Sequence, residues 1–428
     1  MEFNQANPPA QNHRSAILLL GMLFFVFGFF SWINAVLIPY FKLICDLNAS
    51  QSMLVAFAFY ISYFVMAVPA SWVLRKTGLK NGMTLGLVVM GLGALVFIPA
   101  AMERAYPMFL LALFIQASGL TLLQTASNPY ITILGPLDRA AQRISIMGIC
   151  NKVAGAIAPL ILIGVLTKSP DEVDQIHQQL PTMTLPDQTL LFDELSSRLI
   201  LPYTAMAAFL VGLGLLVRYS KLPEIEEATE ASDGSNSPGG IFQFPHLLLG
   251  VLTIFCSVSV EVLAVDSIIG YAQAKGLLFE QARFFATYTL IFMIGSYLIG
   301  IVLTPKYVAQ RQILQGTALL GLLLSTAVVL LPGQTSVWAV ACLGFANALL
   351  WPSIWPLALD GLGRFTKQGS ALLIMGVIGG ALTPMLYGFL CDAFSPQAAY
   401  WILIPLYLFI FYYASAGYRM GKNRLKHN

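Results

Sequence analysis

The stretch PHLLLGVLTIFCSVSVEVLAVDSIIGYAQ, residues 245–273, decides how this chain is read. It is apolar enough and long enough to cross a bilayer as a helix, since ~20 residues at ~1.5 Å each span the hydrocarbon core. Yet its second half carries two carboxylates, Glu261 and Asp266. An acid at bilayer depth costs ~3 kcal/mol on insertion scales, so such residues usually face a wet interior and work there. Five residues apart on a helix is ~140° of rotation, so both acids can border one cavity only if it is wide. The plain alternative is that Glu261 packs against polar neighbours and Asp266 snorkels to the interface.

The rest of the chain resembles this stretch in character. Of its 428 residues 57% are hydrophobic and 10% charged, with a mean hydropathy of +0.76. Soluble domains carry ~25% charged residues, so this is an all-α polytopic membrane protein. Windows long enough to span fall at 16–41, 52–74, 82–102, 107–135, 144–167 and 199–219, then at 246–272, 280–304, 312–332, 336–359, 368–391 and 397–418. That makes twelve transmembrane helices in two six-helix bundles, 1–219 and 246–428. They are joined by 220–245, whose segment KLPEIEEATEASDGSNSPGG (221–240) is acidic and aperiodic, as linkers are. A second hydrophilic insert, 168–198, joins helices five and six, and its LLFDELSS (190–197) reads as a short surface helix. The first apolar run is too long for a signal peptide and lacks a cleavage motif, so it reads as a retained helix.

Charge sets the orientation. With the N-terminus and the even-to-odd loops on one side, that side holds sixteen of the 23 basic residues and the other six; Lys152 lies inside a helix. The positive-inside bias then puts both termini and the linker in the cytoplasm. The net charge of +3 is dispersed over loop ends, which gives no nucleic-acid surface. Five scattered cysteines form no CxxC pair or disulfide framework. There is no nucleotide loop, HExxH or GxSxG, and no catalytic constellation, so an enzyme is not expected.

Polar residues at bilayer depth carry the function. Asn34 lies on helix one, Gln124 and Asn128 one turn apart on helix four, Asn151 and Lys152 on helix five, and Asn347 on helix ten. Each amide alone could be an interhelical hydrogen bond of ~0.6 kcal/mol. Their concentration on helices one, four, five, seven and ten favours a shared polar cavity, and amides suit a neutral polyhydroxylated ligand. Trp351 and Trp355, on one face in LLWPSIWPLAL, suit a stacking platform for a sugar or simple packing. Lys152 at that depth is expected to approach Glu261 or Asp266, the alternative being that it reaches water alone along the cavity wall. Pro129, Pro159, Pro352, Pro356 and Pro384 are expected to break helices four, five, ten and eleven beside such a cavity. The halves also echo each other: IMGICNKVAGAIAP (146–159) resembles IMGVIGGALTP (374–384), as in secondary transporters with a site between two repeats.

NAVLIPYFK (34–42), QTASNPYITILGP (124–136), RISIMGICNK (143–152), SVEVLAVDSIIGYA (259–272) and LGFANALLWPSIWPLAL (343–359) resemble the fucose–galactose–proton symporter family of the major facilitator superfamily. The similarity spans both halves and is nearest to that family's glucose/galactose and N-acetylglucosamine permease branch. The resemblance implies a fold of two six-helix bundles and alternating access around a midplane site. Two departures bear on coupling. Where the fucose permease type has an acid after the helix-one asparagine this chain has Ala35, and for its helix-four glutamate it has Gln124. The helix-five asparagine is kept as Asn151. Segment 71–82, SWVLRKTGLKNG, lacks the superfamily's usual aspartate and keeps Gly78.

The expected activity is secondary active import of a hexose or N-acetylglucosamine across a bacterial inner membrane by a monomer, without an organic cofactor. Asn34, Gln124, Asn128, Asn151, Asn347, Trp351 and Trp355 would contact the sugar. Glu261, Asp266 and Lys152 would bind the coupling cation, a proton or sodium, and sodium would need further oxygen ligands. The alternatives are an uncoupled facilitator, which the lost acids make conceivable, and a non-transporting sugar sensor on the same fold.

Overall fold

The computed structural model describes residues 10–133, 140–169, 171–220, 241–303, 308–362 and 365–421. Among them there is no β-strand. Lipid offers no hydrogen-bond partners, so each crossing segment must satisfy its own backbone as a helix. Eleven helical segments are long and apolar enough to cross a membrane, and the longest, Ala49–Met102, has 54 residues. That segment is two spans. It turns back at Gly78, whose φ of 75° and ψ of 170° form a conformation open essentially to glycine alone. The described chain therefore has the expected twelve spans.

The second and third spans are the two arms of Ala49–Met102, and the fourth and fifth are Tyr106–Ile133 and Ala140–Leu166. The sixth is Ile200–Tyr219, the eighth Phe279–Leu303, the ninth Gln310–Leu330 and the twelfth Pro396–Ser415. The eighth and twelfth are divided near their starts, at Arg283 and over Tyr400–Ile402, and three further spans are interrupted beside a buried polar residue. The first runs Ala10–Trp32 and Asn34–Ile44, the seventh Pro245–Asp266 and Ile268–Ala274, and the tenth Gly333–Asn347 and Leu350–Leu359. The eleventh narrows to a 3-10 turn over Gly376–Ile378, between Thr366–Met375 and Gly379–Ala393.

These interruptions correct the proline reading. Pro159 and Pro384 sit inside unbroken helices, and the break in the tenth span falls at Ala348 and Leu349, upstream of Pro352. A proline has no N–H for the carbonyl four residues earlier, so the fault appears a turn before the ring.

The insert after the fifth span folds as helices Glu172–Gln179 and Leu185–Ser197 around a 3-10 turn, Leu180–Thr182. Arg198 grips Glu172 with a two-pronged contact of 2.9 and 2.8 Å. Tyr40 donates to the Leu195 carbonyl at 2.7 Å, and Ser196 to that of Ala101 at 2.8 Å, which pins the insert to the bundle. The linker segment 221–240 lies outside the described residues. Leu92, Leu252, Leu298 and Phe389 are exposed on the outside of the helices, as lipid-facing residues should be.

The first and second halves of the chain meet along two matching seams, spans two with eleven and spans five with eight. On the first seam Gly388 is so close that a Cβ there would lie 2.8 Å from the Ala49 carbonyl oxygen. On the second, Thr287 donates to the Ala156 carbonyl at 2.9 Å.

Candidate functional site

The ion pair at the middle of the protein joins the two halves. Lys152 Nζ of the fifth span lies 2.5 Å from Glu261 Oε1 of the seventh. Their side chains are 7% and 14% exposed, so both charges are largely withdrawn from solvent. Of the two acids Lys152 could meet, the structure selects Glu261.

Trp32, which the sequence does not single out, completes this centre. It ends the first stretch of span one and is buried. Its ring lies 4.2 Å from Lys152 Nζ, a cation–π contact, and its Nε1–H donates to Asn151 Oδ1 at 3.3 Å. Small residues on spans one and five permit the approach. A Cβ on Gly155 would fall 2.2 Å from Trp32 Cδ1, and one on Gly28 would fall 1.8 Å from the Asn151 carbonyl oxygen. The pattern Trp32-x-Asn34 opposite Asn151–Lys152 is visible in the sequence, but nothing there says that the two segments touch.

The remaining candidates divide by what their polar atoms meet. Asn34 is fully buried, and neither amide atom has a partner among the described residues. Asp266 is 1% exposed and both its oxygens are likewise unpartnered. It ends the first stretch of span seven, where Ser267 turns back to the Leu263 carbonyl.

Asn347 is tied up by protein. Its Nδ2 donates to the Val260 carbonyl at 3.2 Å, and Tyr407 donates to its Oδ1. That chain steadies the backbone one residue before Glu261. Gln124 is half-buried on the fourth span, and the side chain of Asn128 lies outside the described residues. Trp351 and Trp355 are half-buried and stack on each other, with centroids 5.2 Å apart and planes at 25°. Gln310, at the start of the ninth span, donates to the adjacent Pro352 carbonyl at 2.6 Å, so this pair lies toward the basic face of the protein.

No group of three or more metal-ligating side chains stands together among the described residues. The described centre can do two things chemically. It can exchange a charge between a carboxylate and an ammonium held on different halves, and it can offer amide and indole groups to a polar ligand beside that pair.

Comparison with known proteins bears on this arrangement. Residues 20–376 match the sequence profile of the Major Facilitator Superfamily. The chain is 31% identical over 411 residues to a glucose/galactose transporter of Brucella abortus (strain 9-941), covering 95% of each. It is 30% identical over 439 residues to the L-fucose-proton symporter of Escherichia coli K12, covering 97% of this chain and 96% of that one. The crystal structure of the E. coli fucose:proton symporter superposes with a TM-score of 0.71 at 26% identity, covering 94% of this chain and 98% of that one. A D-xylose-proton symporter at 15% identity shares the fold, with a TM-score of 0.69 over 94% and 97% of the two chains. A matched profile over most of the length, two curated relatives at 30% identity or more and a twelve-span architecture agree: the chain belongs to the major facilitator superfamily.

Proposed function

We propose that the protein is a proton-coupled monosaccharide importer of the bacterial inner membrane. It acts as a monomer whose bundles, 1–219 and 246–428, rock about the linker 220–245 with both termini cytoplasmic. The observation that carries this reading is the Lys152–Glu261 pair, a buried ionic contact across the two halves. Glu261 is the coupling acid. While ionised it is held by Lys152; a proton arriving on Glu261 removes the attraction and leaves Lys152 to the Trp32 face. Parting a buried pair without neutralising it costs ~3–5 kcal/mol, so the halves separate around the site more readily once the proton is bound. Asp266, buried without a hydrogen-bond partner among the described residues, is the second acid of the relay. The names of the relatives, a glucose/galactose transporter and an L-fucose-proton symporter, support both a hexose substrate and a proton.

Asn34, Gln124, Asn128 and Asn151 hydrogen-bond the sugar hydroxyls, and Trp351 and Trp355 cover its apolar face. An orphaned buried amide costs ~1–3 kcal/mol, which a ligand hydroxyl at Asn34 would relieve. Asn347 borders the site and acts on it by fixing the Val260 carbonyl beside Glu261. The test is counterflow in proteoliposomes with labelled glucose, galactose, fucose and N-acetylglucosamine, under imposed proton and sodium gradients. Exchange of a hexose and accumulation driven by the proton gradient alone are expected. Glu261→Gln should keep exchange and lose accumulation. Exchange that no gradient can drive uphill would make the protein a facilitator, and no exchange of any sugar would overturn the reading.

A further inference from the structure

Two aspartates outside the polar centre bridge the halves in the same way. Asp392, at the end of the eleventh span, accepts the Ala49 N–H on Oδ1 at 3.0 Å and the Ser50 N–H on Oδ2 at 2.8 Å, at the start of the second span. Asp174, in the insert that follows the fifth span, accepts the Phe279 N–H on Oδ1 at 2.7 Å and the Glu280 N–H on Oδ2 at 3.1 Å, at the start of the eighth. Spans two and eight hold the same place in their halves, as do five and eleven. Each half thus sends one carboxylate, from the end of its fifth span or the segment just after it, onto the first free N–H groups of the other half's second span. The first N–H groups of a helix lack intrahelical partners, which makes them good seats for a carboxylate, both at the long helix Ala49–Met102 and at the one-turn helix Phe279–Ala282.

Both contacts lie on one face, because all four segments adjoin odd-to-even loops. That face carries few basic residues, so on the orientation proposed above it is the outer one. Neither aspartate is a buried core residue. Asp392 is exposed and Asp174 half-buried, while Val173 and Ile176 beside Asp174 are buried and anchor its helix. Such a carboxylate can let go without leaving a charge stranded in an apolar core.

We propose that Asp174 and Asp392 are a symmetric pair of latches that hold the outer face shut, and that their release sets how often the transporter opens outward. Opening that face by tilting the halves apart must break four hydrogen bonds to charged acceptors, and closing remakes them. Such bonds are about twice as strong as neutral ones. The proposal rests on the transport reading for its direction, outer versus inner, but not for the contact itself.

The test is a distance measurement by double electron–electron resonance in the full-length protein in lipid, with native cysteines replaced by serine. Spin labels go on Leu185→Cys and Leu330→Cys, two exposed outer-face positions on opposite halves. Asp174→Asn and Asp392→Asn keep the side-chain shape and remove the charge. Each should raise the long-distance population several-fold, and the double variant by about tenfold or more. In proteoliposomes the double variant should also lower the KM for outside sugar relative to its change in kcat, a split that mere loss of folding would not give. Unchanged distances in a double variant that elutes and melts like the parent would overturn the latch. The distance readout needs no substrate, so a shift without sugar counterflow keeps the latch and removes the sugar reading. Normal counterflow with unchanged distances does the reverse.

Discussion

Removing the members of the Lys152–Glu261 pair one at a time, and then together, measures how far they act as a unit. Lys152→Ala leaves Glu261, 14% exposed, without its cation. Truncating one partner of a buried pair costs ~3–5 kcal/mol. The expected loss for Lys152→Ala is therefore ~3–5 kcal/mol. Glu261→Gln should cost less. Lys152 keeps the Trp32 ring at 4.2 Å, a contact of ~1–2 kcal/mol, and the glutamine carbonyl can still accept its N–H. The double variant strands neither charge, so it should lie closer to the parent than Lys152→Ala does, with a coupling energy of ~2–3 kcal/mol. Thermal unfolding of the purified protein in detergent at fixed pH, followed by tryptophan emission, ranks the four proteins. Single-variant losses that add to within ~0.5 kcal/mol in the double variant would mean that the residues are neighbours and not partners.

Three other outcomes follow from the packing and the surface charges. Gly155→Ala places a Cβ 2.2 Å from Trp32 Cδ1, so the indole must leave Asn151 and Lys152; sugar affinity should fall at least tenfold, with ~1–3 kcal/mol lost to overpacking, as read by binding and melting. Gly78→Ala forces a side chain into a φ of 75° and should cost ~1–3 kcal/mol in the turn between spans two and three, visible as a lower melting temperature with the KM for sugar unchanged. In the insert, partial burial raises the Glu172 carboxyl, but the Arg198 guanidinium and the Lys168 N–H outweigh it and leave Glu172 below the ordinary range. A depressed folded value means that the contribution is fully present above ~pH 4.3 and is lost as pH falls through the lower folded value. Melting temperatures between pH 7 and pH 3 should therefore drop at the acid end in the parent, and the drop should be smaller in Glu172→Gln.

Much of this protein is legible in one dimension. Span number and helix character follow from hydropathy, because lipid forces each apolar run of ~20 residues into a helix whatever its neighbours do. The acids and amides also announce themselves, since a polar side chain at that depth needs a reason. Even the turn at Gly78 stands out as a glycine within a basic loop. What the sequence could not decide is who touches whom. Lys152 and Glu261 are 109 residues apart, and choosing Glu261 over Asp266 took the packing of spans five and seven. Trp32 passes for one more aromatic until Gly155 and Gly28 let span one close on span five. Asn347 looks like a ligand contact until the Val260 carbonyl and Tyr407 are found around it. Asp174 and Asp392 look like loop carboxylates until their partners prove to be backbone N–H groups on the other half. Hydropathy is a property of each segment alone and is written into it, whereas a pairing depends on the rotation and approach of two helices, which the whole bundle fixes together.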